Sequence, residues 1–120
     1  MDRYAVIYNP HSGQDHGESV GKKIEQALVK NQQTVELMPT KGPKDATRLA
    51  KKAAQAQFDI VVAVGGDGTI NEVVSGLATL EQPPYLGIVP AGTVNNLARV
   101  LQIPLDIDQA IENLQQGHLQ

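Results

Sequence analysis

The run Asp59-Ile60-Val61-Val62-Ala63-Val64, followed at once by Gly65-Gly66-Asp67-Gly68-Thr69, decides the fold. Its apolar, β-branched core has no polar alternation and is too short for a buried helix. It therefore reads as a strand covered on both faces, central in a parallel sheet. Just beyond the glycine run, Ile70, Val73, Val74 and Leu77 recur at helical spacing. The unit is thus strand, glycine bend, helix. Three glycines in four positions clear side chains from a place where something could approach the backbone. A helix start directly after them presents N–H groups and the positive end of a dipole, a seat for phosphate. The plainer alternative is a tight strand-to-helix turn with no ligand.

Working outward, the same alternation repeats. Tyr4–Tyr8 reads as a first strand, ending at the turn formers Asn9-Pro10-His11-Ser12-Gly13. Val20, Ile24, Ala27 and Leu28 mark a helix, and Thr34–Met38 a second strand. Gly42-Pro43 is expected to open the next helix with Pro43 in its first turn. The buried stripe of that helix is Ala46, Leu49, Ala50 and Ala53. Tyr85–Val89 reads as a fourth strand. Val94, Leu97, Ala98 and Leu101 predict a further helix, stopped by Pro104. Asp106 caps a last one carrying Ile107, Ala110, Ile111 and Leu114. Four strands and five helices in near alternation predict a three-layer, Rossmann-like α/β domain with a mainly parallel sheet.

Composition narrows the functional classes. The chain has 120 residues, enough for one domain with a real core. It has no cysteine, so neither a disulfide framework nor a Cys-based zinc site is available. The net charge is −3 with no basic block, and aromatics are limited to three Tyr and one Phe. Both features weigh against nucleic acid as a partner. His11, His16 and His118 lack metal-ligand spacing with acids and read as surface residues. Lys22, Lys23, Lys51 and Lys52 read as solvated helix faces. No apolar run is long enough to cross a bilayer, and the expected location is cytoplasmic.

Loops after strands one, three and four leave the same edge of the sheet, where ligands of open α/β folds bind. The third loop, Pro90-Ala91-Gly92-Thr93 with Asn95-Asn96, offers a hydroxyl and amides that could touch a nucleotide or merely cap a helix. Asp67 has two readings of equal standing. It is a carboxylate acting through Mg²⁺ or a ligand hydroxyl, or it is a helix N-cap. A P-loop is excluded, because no Gly-x-x-x-x-Gly-Lys-Ser/Thr occurs. A dinucleotide fingerprint counted from Gly66 fails, since its third glycine falls on Asn71.

Gly65-Gly-Asp-Gly-Thr-Ile-Asn-Glu-Val-Val-Ser-Gly-Leu77 resembles the signature of the diacylglycerol kinase catalytic domain. Asn9-Pro-His-Ser-Gly13 is similar to that family's Asn-Pro-x-Ser-Gly motif. Pro90-Ala-Gly-Thr-Val-Asn-Asn-Leu-Ala-Arg99 is similar to its third motif, with Asn96 in place of Asp and Leu97 in place of Phe. Gly-Gly-Asp-Gly-Thr alone is shared with NAD kinases and, more distantly, phosphofructokinases. The resemblance implies ATP and Mg²⁺ as cofactors and transfer of the γ-phosphoryl group to a lipid hydroxyl. It implies that Asn9, Ser12, Gly13 and Thr40 line the nucleotide. Gly65, Gly66, Asp67, Gly68, Thr69, Asn71 and Glu72 would hold phosphates and metal, and Gly92, Thr93 and Asn95 would complete the pocket. Asp67 is the catalytic and metal-linked candidate, its role as base left open. The family also carries a second, β-rich domain that supplies the lipid pocket. Its lack here suggests a chain trimmed to the first domain and inactive alone. Peripheral contact with the inner membrane face and a homodimer are both compatible with this picture. The rivals are an NAD kinase-like enzyme and a nucleotide-binding module without transfer.

Overall fold

A computed structural model of the chain describes residues 2–10 and 12–90. Four strands, β1 (Arg3–Tyr8), β2 (Thr34–Pro39), β3 (Ile60–Gly65) and β4 (Tyr85–Pro90), alternate with three helices. The helices are α1 (Ser12–Lys30), α2 (Asp45–Gln55) and α3 (Asp67–Ala78). The strands form one all-parallel sheet in the order β2-β1-β3-β4. The two helices expected after β4 lie outside the described residues.

The order explains the layering. From β1 the chain steps to β2 on one side, then passes back over β1 to β3 and on to β4. Crossovers of one hand must then put α1 on one face of the sheet and α2 and α3 on the other. Side chains of β1 divide accordingly. Tyr4, Val6 and Tyr8 pack with Val20, Ile24 and Leu28 of α1. Ala5 and Ile7 pack with Leu49 and Ala50 of α2 and with Ile70 and Val73 of α3. β3 is buried along its whole length, as its apolar run required. Full burial of a side chain such as Ile24 or Ile70 stabilises the fold by roughly 1.5–3 kcal/mol.

Three local expectations change. The helix after β1 begins at Ser12, well before its apolar stripe. Gly17 permits this, because a Cβ there would land on the Asn9 carbonyl. Pro43 is not in the first turn of α2. It sits in a turn closed by Asp45 N–H donating to the Gly42 carbonyl (3.3 Å), and Lys44 adopts a left-handed conformation (φ 68°) before the helix starts. On α3, Val74 is exposed and Gly76 is buried in its place. The helix turns Gly76 toward α2, where an added Cβ would meet the Thr47 carbonyl oxygen at 2.8 Å and Ala50 at 3.2 Å. The small side chains of α2 and this glycine let the two helices close on each other.

The end of the sheet where the strands begin is fastened by polar contacts. Arg3 N–H donates to Asp59 Oδ2 (2.8 Å) and Asp59 N–H returns a bond to the Arg3 carbonyl (2.9 Å). The Arg3 guanidinium donates to the Ala56 carbonyl (2.9 Å) and lies 4.3 Å over the Phe58 ring.

Candidate functional site

Connections leave β1 and β3 in opposite directions, so their carboxyl ends flank a switch point, the place where open α/β sheets bind ligands. A cleft of about 410 Å³ opens there on the α2–α3 face, lined by Asn9, Thr40, Lys41, Gly42, Pro43, Ala46, Gly68, Thr69 and Glu72. Its walls come from three places: the end of β1, the β2–α2 loop, and the first turns of α3.

The α3 wall follows from the glycine run. Gly65 has φ 150°, and a Cβ there would lie 3.0 Å from Thr69 Cβ and 3.1 Å from Thr69 Oγ1. Backbone and space both demand glycine at this position. Gly66 occupies the N-cap position and gives α3 no capping oxygen. Asp67 is therefore not the cap but the first helical residue, half-buried beside the dipole's positive end. The first helical hydrogen bond runs from Ile70 N–H to the Gly66 carbonyl (3.1 Å). The amides of Gly68 and Thr69 precede it and have no acceptor four residues back. Gly68 is exposed, and a Cβ there would meet nothing within 4 Å. No packing among the described residues calls for glycine at 68. What glycine leaves there is open backbone at the cleft surface.

The opposite wall is held by polar contacts. Thr40 N–H donates to the Tyr8 carbonyl (2.8 Å), extending the β1–β2 ladder by one residue. Lys41 N–H donates to Asp45 Oδ2 (2.8 Å). Arg48 donates from Nε to Asp45 Oδ1 (2.8 Å) and from Nη2 to the same oxygen (2.7 Å). The Lys41 amide and the Arg48 fork hold the Asp45 carboxyl below its ordinary range. Across the floor, Thr47 Oγ1 donates to the Glu72 carbonyl (2.8 Å), tying α2 to the first turns of α3.

Of the residues singled out in the sequence, the cleft gathers Asn9, Thr40, Gly68, Thr69 and Glu72. Gly65, Gly66 and Asp67 form the bend that aims α3 at it, and Asn71 is exposed on the same helix. Ser12 and Gly13 lie in the first turn of α1. Gly92, Thr93 and Asn95 lie outside the described residues, as do His11 and His118. Sequence reasoning missed Lys41, Gly42, Pro43 and Ala46. Gly42-Pro43 was visible as punctuation, but it read as a helix start and not as a cleft wall.

Among the described residues no three His, Cys, Asp or Glu side chains cluster to hold a metal. Asp67 stands in the first turn of α3, and Glu72 of the same helix lines the cleft. No helix among the described residues is long and apolar enough to cross a membrane.

Residues 3–120 match the family model of the diacylglycerol kinase catalytic domain. The chain is 46% identical to a diacylglycerol kinase of Bacillus subtilis over 122 aligned residues, covering 98% of this chain and 39% of that one. It is 40% identical to a diacylglycerol kinase of Staphylococcus aureus, covering 97% of this chain and 37% of the relative. The crystal structure of a diacylglycerol kinase from Bacillus anthracis superposes with a TM-score of 0.84 at 33% identity. That match covers 98% of this chain and 40% of the solved one. The chain therefore spans about two-fifths of the length of these relatives.

Proposed function

The chain belongs to the diacylglycerol kinase catalytic domain family, and from that premise we propose that its cleft holds the triphosphate of ATP. The observation that carries this reading is Gly68, a glycine at the cleft with no described neighbour within 4 Å of an added Cβ, in the first turn of a helix that has no side-chain cap. Backbone N–H groups and the dipole of α3 would take the phosphate charge. Thr69 and Thr40 would offer hydroxyls from opposite walls, and Asn9 an amide at the end of β1. Ser12 and Gly13 belong to the same nucleotide-facing edge, as do Gly92, Thr93 and Asn95 by the motif they sit in. Mg²⁺, held by Asp67 through the phosphates, would supply charge neutralisation at the transferring group.

In the intact protein the reaction would be phosphoryl transfer to the hydroxyl of diacylglycerol or a related lipid. The lipid oxygen bonds to the γ-phosphorus, the bond to the β-phosphate oxygen breaks, and ADP leaves with that electron pair. The hydroxyl proton passes to a base, and Asp67 is the described acid placed at this bend. Positioning and electrostatics account for most catalysis of this type. Members of the family as long as the relatives above have room for a second, lipid-binding domain, so the 120-residue chain alone should bind nucleotide with little or no transfer.

Gly68→Ala tests the reading. Alanine is the better helix residue, so stability should stay the same or rise by up to about 1 kcal/mol. The dissociation constant for Mg-ATP, measured by calorimetry, should weaken at least about tenfold because the methyl occupies the phosphate seat. Unchanged affinity would overturn the assignment. NAD binding in preference to ATP in the same titration would favour the NAD kinase-like alternative.

A further inference from the structure

The β2–α2 loop lines the cleft without being packed into place. Lys41, Gly42, Pro43 and Lys44 are all exposed, and a Cβ on Gly42 would meet nothing within 4 Å. Lys44 also carries a left-handed backbone (φ 68°), a conformation that non-glycine residues avoid without support. Something other than apolar contact must give this wall its shape. Two polar clamps do so. One is the Thr40 N–H bond to the Tyr8 carbonyl. The other is the Asp45 carboxylate, which takes the Lys41 N–H on Oδ2 and the Arg48 fork on Oδ1. The chain at Thr40 and Lys41 is thus pinned by two successive amides, the first to the sheet and the second to the first turn of α2.

The geometry points to Asp45 as a positioning residue for the nucleotide cleft, setting Thr40 and Lys41 against the α3 start through its bond to the Lys41 amide. It rests on the reading of the cleft as a nucleotide site. Asp45 itself does not line the cleft; it acts through the loop. Its carboxyl is held below the ordinary carboxylate range first by the Lys41 amide and then by Arg48, so the latch stays ionised to lower pH than a free carboxylate. Arg48 is the second arm. Its side chain is largely exposed, whereas that of Asp45 is mostly covered, so Asp45 is the fixed point of the pair.

The test uses the 120-residue chain and two variants. Asp45→Ser loses the reach to the Lys41 amide but keeps a residue favoured at helix starts. Asp45→Asn keeps an oxygen for that amide and loses the charge. Without nucleotide, amide hydrogen exchange at Lys41 should rise at least about tenfold in Asp45→Ser and stay near wild type in Asp45→Asn. Mg-ATP affinity of the folded chain should fall about tenfold in Asp45→Ser, and Asp45→Asn should recover most of it. Thermal unfolding is followed in parallel. A lower melting temperature with unchanged affinity at a temperature where both chains are folded would show a merely structural role and overturn the proposal. A freed Lys41 amide with undiminished affinity would overturn it too, leaving the nucleotide site standing. If the wild-type chain binds no Mg-ATP, the nucleotide reading falls and the positioning role with it.

Discussion

The two ends of the parallel sheet are built from the same strands and commit their polar groups in opposite directions. Where the strands begin, Arg3, Asp59 and the Ala56 carbonyl satisfy one another, and Phe58 covers the guanidinium. Where they finish, Gly65 and Gly68 strip side chains from the bend, and α3 starts with no capping side chain. A parallel sheet gives both ends the same backbone chemistry. The difference comes from side chains that close one end and glycines that open the other. One end is closed by its own side chains, and the other presents glycine-lined backbone.

The comparison can be broken in three places. The largest effect is expected at the open end, where Gly65→Val forces a branched side chain onto φ 150° and into Thr69. It should cost about 3 kcal/mol in urea unfolding, with loss of Mg-ATP binding. A cost near that of an ordinary surface change would mean that the bend is not sterically set. At the closed end, Asp59→Ala should cost about 1 kcal/mol by removing the acceptor for Arg3 N–H. Its Mg-ATP affinity should match wild type, because six residues of strand put about 20 Å between the ends. A fall in affinity there would show that the ends are coupled.

The smallest effect is a pH dependence at the cleft wall. The Lys41 amide, then the Arg48 hydrogen bond and charge, lower the Asp45 pKa, with Lys41 adding a weaker pull and partial burial opposing. The folded chain therefore keeps Asp45 ionised to lower pH than the unfolded chain does. The contribution is complete above the ordinary carboxylate range and drains away as pH falls through that range to the depressed value. Urea midpoints measured downward from neutral pH should fall more steeply for wild type than for Asp45→Asn. Parallel profiles would show that the latch carries no linked charge.

Much of the candidate site was legible because its constraints are local. A glycine run after a buried strand speaks of close approach whatever surrounds it, and Gly68 and Thr69 were found that way, while Asn9 stood out among the turn formers that end β1. Asp67 was legible as special but not as to place, since a cap and a first-turn residue look alike until the helix start is fixed at Gly66. Lys41 and Asp45 gave no signal. Their roles depend on a bond across four residues and on the loop lying beside β1, neither of which has a sequence pattern.

By itself the sequence determined the strand–helix alternation, the double-sided burial of β3 and the buried stripe of α2, because periodicity and β-branching act within one element. Tertiary structure alone decided which loops meet. The order β2-β1-β3-β4 sets the β2–α2 loop beside Asn9 and across from α3. Gly76 takes the buried place that spacing gave to Val74 because α2 presses on that side of α3. Such choices belong to contacts between elements distant in the chain, and those contacts form only when the sheet has closed.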